Sequence, residues 1–171
     1  MTDINFDKRK SWKLHFEATV DQFSQEEISL GPWTSYSLVN DPKHMAFVLS
    51  RYKFVSKLLA NKKRILEIGC GDGFGAPIIA QNCDFLLCID WEERNVVGNK
   101  RRLSHLKNTE FKHLDITRTK PDLDFDAAFS IDVIEHLVPE DEKKFMDNTL
   151  KALTNDGICI IGTPNETSSQ H

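Results

Sequence analysis

The chain has 171 residues, a length that suits one domain with its own hydrophobic core. Its 22 Lys and Arg and 26 Asp and Glu give a net charge of −4, which does not support general binding to nucleic acid or to a membrane surface. Four scattered cysteines without a Cys-x-x-Cys pair, and no signal-like or membrane-spanning apolar run, predict reduced thiols, no metal site and a cytoplasmic location.

Residues 1–40 mix charged residues with isolated aromatic side chains, and we predict that they form a cap or lid on a main domain of residues 41–171. Gly31-Pro32 predicts the end of any helix at that point. A purely covering role and a substrate-facing role are equally open for this segment. Three of its aromatic side chains fit one face of a helix: Trp12, Phe16 and Phe23.

A helix is predicted to begin at Pro42, with Asp41 as its N-cap. Arg51 lies within this helix, and a surface position is the simplest interpretation of an arginine there. Apolar residues recur at helical spacing and form the predicted buried stripe: Met45, Val48, Leu49, Tyr52, Val55, Leu58 and Leu59.

The stretch Arg64–Gly75 is an apolar run that carries Glu67 and then breaks into glycines at alternate positions. It predicts a buried parallel strand followed by a tight turn whose bare backbone lets a ligand approach closely. Pro77-Ile78-Ile79-Ala80 predicts the first turns of a helix, whose N-terminus favours polar or negative groups. Gly71-x-Gly73-x-x-Ala76 fits the dinucleotide fingerprint, whereas a carboxylate beside the turn suits a ligand with positive charge. A turn that only joins a strand to a helix is the remaining alternative.

This stretch, LEIGCGDGFG, resembles motif I of the class I S-adenosylmethionine-dependent methyltransferases. In such enzymes an arginine ahead of motif I often meets the carboxylate of the cofactor's methionine part, and Arg51 is the candidate by position. The resemblance covers roughly residues 42–164. It implies that the acid and the loop contact the cofactor through Glu67, Gly69, Cys70, Gly71 and Gly73.

Phe85-Leu86-Leu87-Cys88-Ile89 predicts a second buried strand, which ends in Asp90. Asp90 lies nineteen residues after Gly71, where nucleotide-binding sheets place an acid that accepts hydrogen bonds from both ribose hydroxyls. An ionised carboxylate can accept from two donors at once. We therefore predict that Asp90 binds a ribose, with a helix N-cap or a loop acid as the alternative, and that Trp91 lies along the adenine or the ribose.

Glu92-Glu93 predicts the start of a helix that ends on Lys100-Arg101-Arg102, so this basic cluster is interpreted as a helix terminus and not as a nucleic-acid patch. Phe111-Lys112-His113-Leu114 predicts a weaker third strand. The resemblance implies that Asp115 accepts from the adenine amino group and that the backbone N–H of Ile116 bonds a ring nitrogen. A turn residue is the alternative for Asp115.

Phe125–Asp132 predicts the fourth strand, and the stretch SIDVIEHL resembles motif IV of small-molecule methyltransferases. The resemblance implies that Ile131 and Asp132 lie beside the cofactor, where the methyl group is transferred. His136 is the candidate general base or substrate contact, because histidine is the side chain that most often serves as a general base. A structural histidine, packed over the cofactor or hydrogen-bonded to Glu135, is the alternative.

Pro139-Glu140-Asp141-Glu142 predicts another helix start, Asn155-Asp156-Gly157 the end of that helix, and Gly157–Pro164 a fifth strand. The predicted buried stripe of the helix is Phe145, Met146, Leu150 and Leu153.

The order of these elements predicts an α/β fold, a Rossmann-like, doubly wound and mostly parallel sheet with helices on both faces. Ligands of such sheets lie beyond the carboxyl ends of the strands. Four acids are expected to meet there: Glu67, Asp90, Asp115 and Asp132.

A complete class I methyltransferase sheet has two more strands after the fifth, and this sequence shows no match to them. We therefore expect either a truncated form of a longer protein or a homodimer in which a second copy covers the sheet edge. An open Ile158–Ile161 strand would otherwise invite edge pairing.

The resemblance implies methyl transfer from S-adenosylmethionine to a small molecule such as a phenol, sugar or lipid, with S-adenosylhomocysteine as the product and no nucleic acid as partner. In this reaction the protein mainly holds donor and acceptor in line. Two other functions stay open. The glycine fingerprint is compatible with an NAD(P)-dependent oxidoreductase, and the early C-terminus with a non-catalytic cofactor-binding or assembly module.

Overall fold

The computed structural model describes residues 3–23 and 29–165, and its centre is a five-stranded sheet with strand order β3-β2-β1-β4-β5. Every neighbouring pair of strands is parallel. The strands are β1 Arg64–Ile68, β2 Phe85–Asp90, β3 Thr109–His113, β4 Phe125–Ile131 and β5 Leu153–Gly162.

Helices connect these strands and precede the first of them: α1 Asp3–Phe23, α2 Pro32–Asn40, α3 Pro42–Leu58, α4 Ala76–Ala80, α5 Glu93–Arg102 and α6 Pro139–Lys151. A short 3₁₀ turn, Ile134–His136, follows β4. This architecture confirms the predicted Rossmann-like α/β fold. None of the described helices combines the length and apolar character that crossing a bilayer would require.

Both faces of the sheet are covered, which explains the continuous apolar runs of the strands. Alternate side chains of each strand point to opposite faces. On one face Ile65 packs with residues from α3, α4 and α5, including Tyr52 and Val96. On the other face Leu66 packs with Phe145 of α6. Burial of each such large apolar side chain stabilises the fold by about 1.5–3 kcal/mol.

The strand order places a crevice at the carboxyl end of β1. This strand pairs with β2 on one side and with β4 on the other, so the chain leaves β1 and β4 in different directions. Ligands of open α/β sheets bind at such a switch point. The loop after β1 and the loop after β4 therefore form the walls of the predicted site.

The helix predicted to begin at Pro42 does so, and the side chain of Asp41 accepts from the backbone N–H of His44. Gly31 is the N-cap of α2 and Pro32 is its first residue, because proline suits the first helical position. Residues 29–31 are not helical. Leu58 and Leu150, which were placed in buried stripes, are each about half exposed.

The predicted end of α6 at Asn155-Asp156-Gly157 is wrong. The helix ends at Lys151, because the carbonyl of Ala152 already accepts from the backbone N–H of Phe125 and begins the pairing of β5. The Asn-Asp-Gly segment instead lies within β5, where the register with β4 shifts.

The N-terminal segment contains two separate helices. The aromatic side chains predicted to share one face of α1 are exposed, and Trp12 stacks on Phe16 with ring centroids 5.3 Å apart. At the other end of the chain, β5 pairs with β4 alone within residues 29–165. The second copy expected to cover this edge stays a prediction.

Candidate functional site

A cavity of about 570 Å³ lies at the carboxyl end of the sheet. Four parts of the chain line it: the helices α2 and α3, the glycine loop formed by residues 69–75, residues 131–136 from the end of β4 onward, and Pro164 after β5. The site therefore joins the two stretches that carry the motif resemblances with α2 and α3.

The glycine loop has backbone conformations that favour glycine. Gly69 has a φ of 75°, and a Cβ there would lie 2.3 Å from Cγ2 of Val133. Gly71 has a φ of 50°, but a Cβ there would meet nothing within 4 Å, and the residue lines the cavity. The bare backbone at Gly71 therefore leaves open space into which a ligand can fit against the chain.

Asp90 holds the glycine loop from behind. Its Oδ2 accepts from the backbone N–H of Gly71 at 2.7 Å, and its Oδ1 accepts from the N–H of Glu92 at 2.8 Å. The residue is only 5% exposed. Each carboxylate oxygen keeps further acceptor capacity, so these bonds leave ribose binding open while fixing the position of the carboxylate.

Asn99 of α5 is a second support of the loop, and the sequence analysis missed it. Its side-chain amide donates to the carbonyl of Gly71 at 2.8 Å and its oxygen accepts from Arg102 at 2.6 Å, with the side chain fully buried. The available signal was a polar residue three positions after the buried Val96, on the same face of the helix.

Glu67 lies beneath the cavity and not in its wall. Its carboxylate accepts from the hydroxyl of Tyr52 at 2.7 Å and from the thiol of Cys88 at 3.1 Å. The ring of Tyr52, which lines the cavity, packs against Gly75, where a Cβ would lie 2.1 Å from the ring. In this structure Tyr52 lines the cavity and donates its hydroxyl to Glu67. Direct contact between Glu67 and a cofactor stays a prediction.

Arg51 forms an ion pair with Asp132, which joins α3 to the loop after β4. Both side chains are partly exposed, and Asp132 lines the cavity together with Ile131. Asp132 has a φ of 55°, a left-handed conformation that is uncommon for residues other than glycine. Arg51 is thus near the predicted site, but its charge is already matched, so its predicted contact with a cofactor carboxylate would compete with Asp132.

Glu135 and His136 both line the cavity and are exposed. They lie in the 3₁₀ turn after β4, and Oε2 of Glu135 is 3.5 Å from the hydroxyl of Thr163. His136 is therefore accessible to a molecule in the cavity. Whether it acts as a base stays a prediction.

The residues predicted to bind adenine lie outside the cavity wall. Trp91 is 70% exposed, and its carbonyl is 2.9 Å from Nε2 of His113. Asp115 accepts from the N–H and the hydroxyl of Thr117 at 2.9 and 2.7 Å, which is the turn role that was the alternative for it. Ile116 is buried. Their adenine-binding roles stay predictions.

The sequence also matches a family profile described as a methyltransferase domain over residues 66–159, more than half of the chain. The chain belongs to this family. The match includes the end of β1, the glycine loop and the loop after β4, so the family assignment confirms the resemblance stated from the two motifs.

Curated methyltransferases resemble this domain over part of their length. A probable S-adenosylmethionine-dependent methyltransferase of Mycolicibacterium smegmatis is 29% identical over 119 residues, which cover 67% of this chain and 44% of that protein. A ubiquinone biosynthesis O-methyltransferase of Rickettsia bellii is 28% identical over 131 residues, which cover 72% of this chain and 49% of that protein. The chain spans about half the length of the curated relatives it matches.

The methyltransferase fold is also found in a crystal structure of the N-methyltransferase NodS from Bradyrhizobium japonicum in complex with S-adenosyl-L-homocysteine. The TM-score is 0.64 at 20% identity, with 90% of this chain and 75% of that chain covered. At this identity the similarity shows the fold.

We expect the buried Glu67 to make the free energy of unfolding depend on pH. Burial raises the pKa of Glu67 from 4.5 to about 7, and the hydrogen bonds from Tyr52 and Cys88 offset part of that increase. The folded protein then holds a proton that the unfolded chain releases near pH 4.5. The contribution of Glu67 to the free energy of unfolding is therefore complete below about pH 4.5 and is lost as the pH rises to about 7, by at most about 3 kcal/mol.

In the Glu67→Gln variant we expect this component of the pH dependence to disappear. Urea unfolding of the wild type and the variant at several pH values between about 5 and 8 measures it. Glu110→Gln, at an exposed position of β3, is the control and should keep the wild-type profile. A Glu67→Gln profile parallel to that of the wild type would contradict the assigned pKa.

Proposed function

We propose that this domain binds S-adenosylmethionine at the carboxyl ends of β1, β2 and β4 and transfers its methyl group to a small-molecule acceptor. The observation that carries the proposal is the open backbone at Gly71, which faces the cavity and is held from behind by Asp90. The printed names of the relatives support the donor, since they include a probable S-adenosylmethionine-dependent methyltransferase and a ubiquinone biosynthesis O-methyltransferase.

The chemistry of the residues present fits this cofactor. The carboxylate of Asp90 would accept from the ribose hydroxyls, and that of Asp115 from the adenine amino group. The loop from Gly69 to Gly73 would lie against the methionine part, with Ile131 and Asp132 on the opposite wall. The open space at Gly71 is what a close approach of a ligand to the backbone requires.

When bound, S-adenosylmethionine supplies an electrophilic methyl group. The chain would hold the acceptor against the cavity residues of α2 and of the turn after β4, in line with the methyl group. His136, exposed in the cavity wall, would take the proton of a hydroxyl or ammonium acceptor.

The charges around the cavity favour a neutral or positively charged acceptor over an anionic one. The described residues that line it include carboxylates of Asp41, Asp72, Asp132 and Glu135, and none of them is Lys or Arg. The nearby Arg51 is paired with Asp132. Phenol, sugar, lipid and amine acceptors without a negative group all satisfy this condition.

We expect S-adenosylhomocysteine to raise the melting temperature of the protein, because a ligand that binds only the folded state stabilises it by about 2.7 kcal/mol at one hundred times its Kd. Thermal unfolding with increasing ligand concentration measures the effect, with NAD as the comparison ligand. A rise with NAD and none with S-adenosylhomocysteine would favour the oxidoreductase. No rise with either would contradict the proposal.

A further inference from the structure

The N-terminus of α2 is capped from a distant part of the chain. Gly31 occupies the N-cap position and has no side chain to offer. The backbone N–H of Thr34, the third residue of the helix, donates instead to Oδ2 of Asp72 in the glycine loop at 2.8 Å. This is the bond that an N-cap side chain ordinarily accepts, so a residue 38 positions later performs the capping.

Only a glycine leaves room at position 31 for the side chain of Asp72. A Cβ there would lie 2.2 Å from Cγ and 2.5 Å from Cβ of Asp72. A local capping side chain at residue 31 and the carboxylate of Asp72 therefore compete for the same space. In this protein Asp72 provides the cap, and residue 31 has no side chain.

Apart from this cap and its packing against the neighbouring α3, α2 is largely exposed. Thr34 is its one buried residue among the nine that the structure describes, while Trp33 is 70% exposed and Val39 is 79% exposed. Asp72, in contrast, is in a well-supported loop, since its carbonyl accepts from Arg102 at 3.4 Å and the carbonyl of the preceding Gly71 accepts from Asn99. The cap thus joins a largely exposed helix to a loop that other hydrogen bonds already hold in place.

We propose that Asp72 is a positioning residue that ties α2 to the glycine loop, so that a ligand lying against the loop also fixes α2 over the cavity. α2 contributes Trp33, Tyr36 and Ser37 to the cavity wall, and the turn after β4 contributes Glu135 and His136. The helix that would contact the acceptor is therefore held in place by a hydrogen bond to the loop that would contact the cofactor. The tie is a property of the fold, and only its response to a cofactor rests on the proposed function.

Hydrogen exchange of the backbone amides in the complete 171-residue chain tests the tie without any ligand. In Asp72→Ala we expect the amides of Thr34 and the rest of α2 to exchange roughly five- to tenfold faster, the loss that removal of one helix cap gives. Asp126→Ala is the matched control, because Asp126 also accepts from backbone N–H groups but at the opposite end of the sheet. Exchange in α2 that is unchanged by Asp72→Ala would overturn the proposal.

A double variant separates capping from coupling. Asp72→Gly removes both the carboxylate and the Cβ that a side chain at residue 31 would meet, so combining it with Gly31→Ser should return the exchange of α2 close to the wild-type rate. Saturating S-adenosylhomocysteine should slow exchange in α2 of the wild type and should no longer do so in the double variant. Equal slowing in both proteins would refute the coupling. Failure of the ligand to bind the wild type would refute the proposed function instead, and the ligand-free comparison would still decide whether the tie exists.

Discussion

Asp90→Ala is expected to weaken the binding of S-adenosylhomocysteine by roughly a hundredfold and to lower the free energy of unfolding by about 3 kcal/mol. The stability loss follows from the two backbone N–H groups, of Gly71 and Glu92, that would lose a charged acceptor in a nearly buried position. The affinity loss has two causes: the variant lacks the hydrogen bonds to the ribose, and the glycine loop is no longer held in position. Isothermal titration calorimetry and urea unfolding measure the two effects.

Two controls separate these contributions. Asp126→Ala removes a carboxylate that also accepts from two backbone N–H groups, at 2.8 and 3.0 Å, but far from the cavity, so it should cost stability without changing affinity. His136→Ala removes a side chain from the cavity wall and should change cofactor affinity less than Asp90→Ala does. If His136→Ala weakens binding more than Asp90→Ala, the roles assigned to the two residues are reversed.

Gly71→Ala should abolish most cofactor binding in a protein that still folds. The added methyl group points into open space, so the folded state bears only the strain of alanine at a φ of 50°, about 1–2 kcal/mol. The same methyl group occupies the place where a ligand would meet the backbone, and we expect S-adenosylhomocysteine to bind at least about fiftyfold more weakly. Calorimetric titration, with circular dichroism to confirm folding, measures both.

Gly69→Ala is the matched comparison for this second prediction. Its φ is also positive, but its Cβ would lie 2.3 Å from Val133, so the substitution should damage the fold itself. The pair therefore distinguishes a glycine needed for packing from a glycine needed for a ligand. Unchanged affinity in Gly71→Ala would show that the cofactor does not lie against this part of the loop.

The strands and the strand-end acids could be predicted from the sequence because both are local features. The apolar run Phe85–Ile89 has the length of a buried strand, and Asp90 then lies at its carboxyl end. The tight turn after β1 follows equally from the spacing of the glycines, three of which have a positive φ in the structure. The hypothesis about the cofactor combined these positions with the resemblance of LEIGCGDGFG to motif I of the class I methyltransferases.

The partners of the site residues could not be predicted, because each contact joins segments far apart in the chain. Tyr52 meets Glu67 across 15 residues, and Arg51 meets Asp132 across 81. The sequence predicted Arg51 as a surface arginine or a contact of a cofactor carboxylate, and Glu67 as a carboxylate that a cofactor contacts. Tertiary packing gave each of them a partner inside the protein, which changes the charge that a bound molecule would encounter.

The position of β1 between β2 and β4 has a consequence for how the protein is made. During synthesis β2 is complete at residue 90, whereas β4 is complete only at residue 131, about forty residues later. The nascent chain can therefore pair the strands that carry Glu67 and Asp90 while the opposite edge of β1 is still bare. The part of the crevice that would hold a nucleoside is synthesised first, and the part that would receive the acceptor follows with β4.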